Sequence, residues 1–113
     1  MQKSILFKNT NISFSDTGKG AAVVLLHGFL ENKTMWNAIG AVLSNKNRVI
    51  AIDILGHGET GCLGYVHPLD LFAESVEAVL KNLRIRKYFL IGHSLGGYIS
   101  LAIAHRNVAK IKG

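Results

Sequence analysis

Runs of apolar residues separated by turn-forming residues predict three strands that are buried on both faces. The runs cover residues 21–26, 48–55 and 88–91, and none shows the strict alternation of a half-exposed strand. Continuous apolar runs are typical of parallel sheets that are covered on both faces. Ahead of them, short alternation at residues 5–8 and 12–15 predicts an antiparallel hairpin that turns around Asn9-Thr10-Asn11.

Helical periodicity follows each of these three strands. The first predicted helix ends near Ser44 and has an apolar stripe formed by Met35, Ile39, Val42 and Leu43. The clearest helix covers residues 68–83, with a stripe formed by Phe72, Val76, Val79, Leu80 and Leu83. A third helix runs from Leu95 to about Arg106, and residues 108–111 predict the start of a further strand.

The order of these elements predicts an α/β fold with an antiparallel N-terminal hairpin followed by parallel strands and helices on both faces. Strands that alternate with helices are joined by right-handed crossovers. Gly- and His-rich loops at residues 27–29, 56–58 and 92–97 each follow a predicted strand. Ligands of such sheets bind beyond the carboxyl ends of the strands. We therefore expect the three loops to converge on one side of the sheet.

Composition and charge indicate one globular unit without a nucleic-acid partner. The 113 residues contain 13 Lys and Arg against 7 Asp and Glu, which gives a formal net charge of +6. Part of the excess lies at Lys81, Arg84, Arg86 and Lys87, where the second helix runs out. This pattern favours a solvated helix end over a phosphate-binding patch, and no motif that reads RNA or DNA accompanies it.

Cysteine usage and hydropathy favour a cytoplasmic protein without membrane association. Cys62 is the single cysteine, so no internal disulfide is expected. The residues after Met1 lack the apolar core of a secretory signal. The longest apolar run, Ala21–Leu26, is too short to span a bilayer. No metal-ligand spacing is present, and we expect neither a metal nor a cofactor.

The strongest chemical signal is Gly92-His93-Ser94-Leu95-Gly96, which matches G-x-S-x-G between a predicted strand and a predicted helix. A sharp turn there lifts Ser94 above the sheet edge, and glycine at 92 and 96 removes side chains that would collide with neighbouring elements. The helix N-terminus behind Ser94 favours developing negative charge. The alternative is a serine that only caps this helix.

Three segments together resemble the α/β-hydrolase superfamily over nearly the whole chain. They are His27-Gly28-Phe29, the D-x-x-G-H-G segment at residues 53–58, and the G-x-S-x-G segment extended by Gly97. The resemblance implies that Ser94 is the nucleophile and that the backbone N–H groups of Phe29 and Leu95 form an oxyanion hole. The same resemblance gives a supporting role to His27, Gly28, Gly92, His93, Gly96 and Gly97.

This combination is most similar to single-domain esterases, lactonases and C–C bond hydrolases. The implied function is a serine hydrolase that acts on a small acyl substrate such as an ester or lactone. In this family the acid and the histidine of the triad follow the serine in the chain. Here 19 residues follow Ser94, none is Asp or Glu, and the one histidine among them, His105, lies within the third helix.

Residues 1–113 are therefore interpreted as a single incomplete α/β-hydrolase domain that ends before the strands carrying the acid and the histidine. We expect this chain to be inactive and the full-length protein to be an enzyme. The strand at residues 88–91 would also become an exposed apolar edge, which favours dimerisation or aggregation.

Other functions stay open at this point. A non-catalytic, hydrolase-like binding fragment is the main alternative. Residues 56–61 also satisfy G-x-G-x-x-G, but the residues that follow continue as a loop, whereas a dinucleotide fingerprint opens a helix. For Asp53, fixation of the glycine loop at 56–58 is favoured over a role in a pocket.

Overall fold

The computed structural model describes residues 2–62 and 67–113, which form a five-stranded sheet with helices on both faces. The strands are β1 (Gln2–Phe7), β2 (Thr10–Thr17), β3 (Ala21–Leu26), β4 (Asn47–Ile52) and β5 (Tyr88–Gly92). The helices are α1 (Asn37–Leu43), α2 (Leu69–Asn82) and α3 (Leu95–Arg106). Short 3₁₀ helices cover Lys33–Trp36 and Val108–Lys110.

The sheet has the strand order β1-β2-β4-β3-β5. β2 pairs antiparallel with both β1 and β4, whereas β3 pairs parallel with both β4 and β5. The predicted fold class is confirmed, because an antiparallel hairpin leads into parallel strands with helices on both faces. The carboxyl ends of β3, β4 and β5 consequently lie at the same edge of the sheet.

Burial on both faces explains why the central strands read as continuous apolar runs. Along β3, Val24 and Leu26 pack into the larger core beneath α2 and α3, whereas Val23 and Leu25 pack into a smaller core beneath α1. All four side chains are nearly or completely buried. Successive side chains of a strand point to opposite faces, so only a strand covered on both sides needs apolar residues at every position.

The apolar stripe was predicted correctly for α2, whereas in the first predicted helix only Leu43 of the predicted stripe packs against the core. In α2, the predicted stripe is buried in the larger core, apart from Leu83, which is partly buried beside it. In α1, Val42 is 70% exposed and Ile39 is 50% exposed. The preceding 3₁₀ turn places Trp36 against the sheet, and Leu43 packs beside it. A seven-residue helix carries too few turns for its periodicity to identify the buried face.

Three predicted boundaries also need correction. The hairpin turns at Lys8 and Asn9, whose φ angles are 50° and 64°, so Thr10 already belongs to β2. Two consecutive positive φ angles are the signature of the two-residue turn that matches the strand twist. β4 ends at Ile52, three residues earlier than predicted. The expected strand at 108–111 begins as a 3₁₀ helix, and only Ile111 makes a bridge to Tyr88.

β5 lies at one edge of the sheet, as the sequence predicts. Phe89 and Ile91 are 37% and 40% exposed there. Part of this edge is paired, because the Lys112 N–H donates to the Tyr88 carbonyl at 2.8 Å and the Leu90 N–H donates to the Gly113 carbonyl at 2.9 Å. Among the described residues, no helix is both long enough and apolar enough to cross a membrane.

Replacement of Ile52 by alanine tests the larger core. Ile52 is completely buried, so Ile52→Ala should lower the free energy of unfolding by roughly 2–5 kcal/mol in urea denaturation. Leu6→Ala is the matched control on β1, because Leu6 is 74% exposed and its loss should change stability by about 0.5 kcal/mol or less. Equal effects of the two substitutions would contradict this placement of the core.

Candidate active site

Ser94 occupies a strained turn between β5 and α3. Its φ and ψ angles are 55° and −116°, a conformation that L-residues adopt rarely. The His93 N–H donates to the Leu26 carbonyl at 3.0 Å, and the Gly97 N–H donates to the Ser94 carbonyl at 2.8 Å, so both sides of the turn are held. The Ser94 side chain is exposed and makes no capping hydrogen bond to the helix. This geometry therefore does not support the alternative in which Ser94 only caps α3.

Close backbone packing explains the two glycines of the turn. A Cβ atom on Gly96 would lie 2.0 Å from the Leu26 carbonyl oxygen, and one on Gly92 would lie 2.3 Å from the Gly96 carbonyl oxygen. Both distances are far below van der Waals contact, so neither position accepts a side chain. A Cβ atom on Gly97 would lie 3.7 Å from the nearest atom, which is an ordinary contact. Local packing therefore does not require glycine at position 97.

The loop after β3 approaches Ser94 closely. Gly28 and Glu31 close a turn in which the Glu31 N–H donates to the Gly28 carbonyl at 3.2 Å and Leu30 has a φ of 62°. A Cβ atom on Gly28 would lie 3.1 Å from both the His93 carbonyl oxygen and the Ser94 Cβ atom. Glycine at position 28 thus lets the backbone of this loop come next to the turn that holds Ser94.

Two backbone donors near Ser94 have no partner among the residues that the structure describes. They are the N–H groups of Phe29, in the loop after β3, and of Leu95, the first residue of α3. Their neighbours are engaged, since Gly28 N–H donates to Glu31 Oε1 at 3.0 Å and Gly96 N–H donates to the His93 carbonyl at 3.0 Å. Unengaged main-chain donors beside a nucleophile can stabilise an oxyanion.

Comparison with known proteins decides the family. The sequence model of the alpha/beta hydrolase fold matches residues 21–113. The chain belongs to the α/β-hydrolase family. The described strands of the chain form the N-terminal part of that fold.

Its relatives include esterases and other hydrolases. A pimeloyl-(acyl-carrier protein) methyl ester esterase of Aeromonas hydrophila is 35% identical over 98 residues, which are 84% of this chain and 37% of that esterase. A thermophilic esterase from Thermogutta terrifontis has a TM-score of 0.90 at 30% identity, covering 98% of this chain and 43% of its own. An epoxide hydrolase from Vigna radiata has a TM-score of 0.94 at 22% identity, and the match covers 100% of this chain and 38% of the epoxide hydrolase. At this identity the similarity shows the fold alone.

His27 holds two loops of the chain together through hydrogen bonds and is not available as a base. Its ring is completely buried, Nδ1 lies 2.8 Å from the Gly28 carbonyl, and Nε2 lies 3.1 Å from the Ile54 N–H. Since the Ile54 N–H donates to Nε2, the ring proton resides on Nδ1 and is donated to Gly28. Burial lowers the pKa of His27 below its ordinary value, which keeps the ring neutral.

Asp53 and Lys33 form a buried ion pair beneath the same loops. Asp53 Oδ2 accepts from Lys33 Nζ at 2.8 Å and from the Glu59 N–H at 3.0 Å, and Oδ1 accepts from the Lys33 N–H at 2.7 Å. Burial alone would raise the pKa of Asp53, but these hydrogen bonds and the Lys33 charge outweigh it and lower the pKa. A Cβ atom on Gly58 would lie 2.4 Å from the Asp53 carboxylate, so the Gly loop wraps around it. The geometry agrees with the favoured interpretation of Asp53 as a residue that fixes this loop.

Glu31 connects the loop after β3 to the turn that holds Ser94. Its Oε1 accepts from the Gly28 N–H at 3.0 Å and lies 3.0 Å from His93 Nδ1. Both side chains are partly exposed, so the pair adds little stability but fixes the spacing of the two segments. Neither Glu31 nor Lys33 was singled out from the sequence, because each acquires its role through residues distant in the chain.

His57 brings the third loop to the same place. Its ring centroid lies 5.7 Å from that of Phe29 and 5.3 Å from that of His27, and its Nδ1 lies 3.0 Å from the Leu55 carbonyl. The three predicted loops therefore converge at one edge of the sheet. Among the described residues, no histidine ring is within hydrogen-bond distance of the Ser94 hydroxyl. A general base needs that distance.

Substitution of Gly96 and Gly97 by alanine tests the packing of the turn. Gly96→Ala should unfold the chain or lower its free energy of unfolding by roughly 3 kcal/mol or more, because the new methyl group collides with the Leu26 carbonyl. Gly97→Ala, one residue away, should be neutral or stabilising by about 1 kcal/mol, since alanine favours helix. Urea denaturation of both variants measures the difference. A tolerated Gly96→Ala would refute the close approach of α3 to β3.

Acid unfolding tests the Lys33–Asp53 pair. Because the pKa of Asp53 is lower in the folded state than its ordinary value of 3.8, its stabilising contribution is complete above that value and disappears as the pH falls through the folded pKa. Asp53→Asn should cost roughly 3–5 kcal/mol at pH 7, since the buried Lys33 ammonium group then keeps only the exposed Glu59 carboxylate, at 3.3 Å, as a counter-charge. It should also flatten the pH dependence of unfolding below about pH 4. The exposed Asp70→Asn serves as control, and the same loss in both variants would argue against a buried pair.

Proposed function

We propose that Ser94 is the nucleophile of a serine hydrolase that cleaves an ester, a lactone or a related acyl compound. The observation that carries the proposal is the exposed Ser94 side chain, held at positive φ beside two unengaged backbone donors. The similarity to the Aeromonas and Thermogutta esterases supports an ester as substrate class. A protein described as an N-acyl homoserine lactone degrading enzyme is also similar, with 26% identity and a TM-score of 0.93, which favours including lactones.

In the proposed reaction, Ser94 Oγ attacks the acyl carbon and its proton passes to a base. The carbonyl oxygen then becomes an oxyanion that accepts hydrogen bonds from the Phe29 and Leu95 N–H groups. Each such donor typically contributes about 3 kcal/mol of transition-state stabilisation. Collapse of the intermediate expels the alcohol with a proton from that base, and water subsequently releases the acid from Ser94.

Residues 1–113 supply the nucleophile and the donors of this scheme, but within the ranges 2–62 and 67–113 no base is in contact with Ser94. No Asp or Glu follows Ser94, and His105 lies in the last turn of α3. His27 is occupied by two hydrogen bonds. We therefore expect these residues alone to be inactive, and we place the activity in a protein that also provides a histidine and a carboxylate. Without them, the chain could only bind.

A fluorophosphonate probe tests whether Ser94 is an activated nucleophile. A protein in which residues 1–113 are followed by downstream Asp and His residues should be labelled at Ser94, and residues 1–113 alone should not. Ser94→Ala should abolish labelling, whereas Ser100→Ala should retain it, because the Ser100 hydroxyl only donates to the Gly96 carbonyl within α3. Mass spectrometry of the labelled peptide identifies the site. Absence of labelling in the longer protein would favour the non-catalytic alternative.

A further inference from the structure

A second concave site lies at the amino end of β5, away from Ser94. Here the end of α2, the start of β5 and the segment after α3 border a half-open cavity of about 390 Å³. Four cationic side chains line it, from Lys81, Arg84, Arg86 and Lys110. Ser94 follows the opposite end of β5, and the intervening strand is about 13 Å long. The cavity, which we call the basic cavity, is therefore separate from the candidate active site.

The positive charge of the basic cavity is not balanced from within the described part of the chain. Glu77 is the one carboxylate that lines it. Its oxygens already accept from Arg106 Nε, at 3.0 Å, and from the Asn107 side-chain amide. Over residues 2–62 and 67–113, none of the four cations forms an ion pair or a side-chain hydrogen bond. Like charges gathered around one concavity repel each other unless an anion joins them.

The end of α2 does not by itself account for this cluster. Lys81 lies in the last turn, where a cation is favourable against the helix dipole. Two carbonyl groups at this helix end already have donors, since the Arg84 N–H donates to the Lys81 carbonyl at 3.0 Å and the Ile85 N–H donates to the Leu80 carbonyl at 2.9 Å. Arg84, Arg86 and Lys110 lie outside the helix. The sequence favoured a solvated helix end, and the structure adds the concavity and a cation from a different element.

Arg84 also has an unfavourable backbone conformation. Its φ of 59° lies in the left-handed region, at the position after a helix where glycine is usual. A residue with a side chain costs about 1 kcal/mol there relative to glycine. The presence of arginine at such a position is explained if its guanidinium group has a function.

We propose that the basic cavity binds a small phosphate-bearing anion. Arginine presents paired N–H donors that match the oxygens of a phosphate group, and lysine adds point charges. Leu80 and Tyr88 supply an apolar wall. Burial, together with the Glu77 charge, raises the pKa of the Tyr88 phenol to about 12, so this group stays uncharged. A cavity of this size suits a small ligand. The proposal does not depend on the proposed hydrolase activity.

Thermal unfolding in the presence of inorganic pyrophosphate tests the proposal. Ionic strength is held constant with sodium chloride, and inorganic phosphate is titrated in parallel. The variant is Arg84→Gly, and the matched control is Lys8→Gly, which removes one cation at another positive-φ position, in the hairpin at the opposite edge of the sheet. Both variants relieve backbone strain, so both should unfold at a higher temperature than the wild type when no ligand is present.

The two variants should differ only in their response to the anion. Pyrophosphate should stabilise the wild type and Lys8→Gly saturably, whereas Arg84→Gly should bind it about tenfold more weakly. A stronger response to pyrophosphate than to phosphate would indicate a ligand with two phosphate groups, and equal responses would indicate one. Identical responses of the two variants, or stabilisation no greater than that by sodium chloride, would overturn the proposal.

Discussion

The buried ion pair between Lys33 and Asp53 joins the 3₁₀ helix after β3 to the loop after β4 and to β2. Lys33 belongs to the 3₁₀ helix after β3, Asp53 follows β4, and the Lys33 ammonium group also donates to the Ser13 hydroxyl of β2 at 3.1 Å. Charges removed from water are tolerated only when their partners remain in place. The pair therefore restricts the loops at this edge of the sheet to one arrangement.

The candidate active site is built on that arrangement. His27 links the loop after β3 to the backbone after β4, and Glu31 links the same loop to His93. The Phe29 N–H, in the loop after β3, and the Leu95 N–H, at the start of α3, thus belong to segments whose positions are fixed before any substrate is present. Donors that are already oriented need not reorganise when charge develops, and this is the usual source of their effect on reaction rates.

The sequence predicts those parts of the fold and of the site that depend on local pattern. Continuous apolar runs identified the central strands, and the spacing of Phe72, Val76 and Val79 identified the buried face of α2. The steric demand at Gly92 and Gly96 could also be stated in advance, because a sharp strand-to-helix turn leaves no room for side chains. The family resemblance placed Phe29 and Leu95 beside Ser94. Local pattern could not predict contacts between residues that lie far apart in the sequence. The ammonium group of Lys33 is buried against Ser13 and Asp53, which lie 20 residues before and after it in the chain.

The double burial of β3 has a consequence for how this chain can vary. Alternate residues of β3 pack into two different cores. An insertion or deletion of one residue would turn each side chain to the opposite face of the sheet, so that residues from the core beneath α1 would face α2 and α3, and the reverse. The same slip would move the Leu26 carbonyl away from His93 and Gly96, which lie against it. One apolar side chain in β3 can therefore be replaced by another, whereas a change in the length of β3 would disrupt the turn at Ser94.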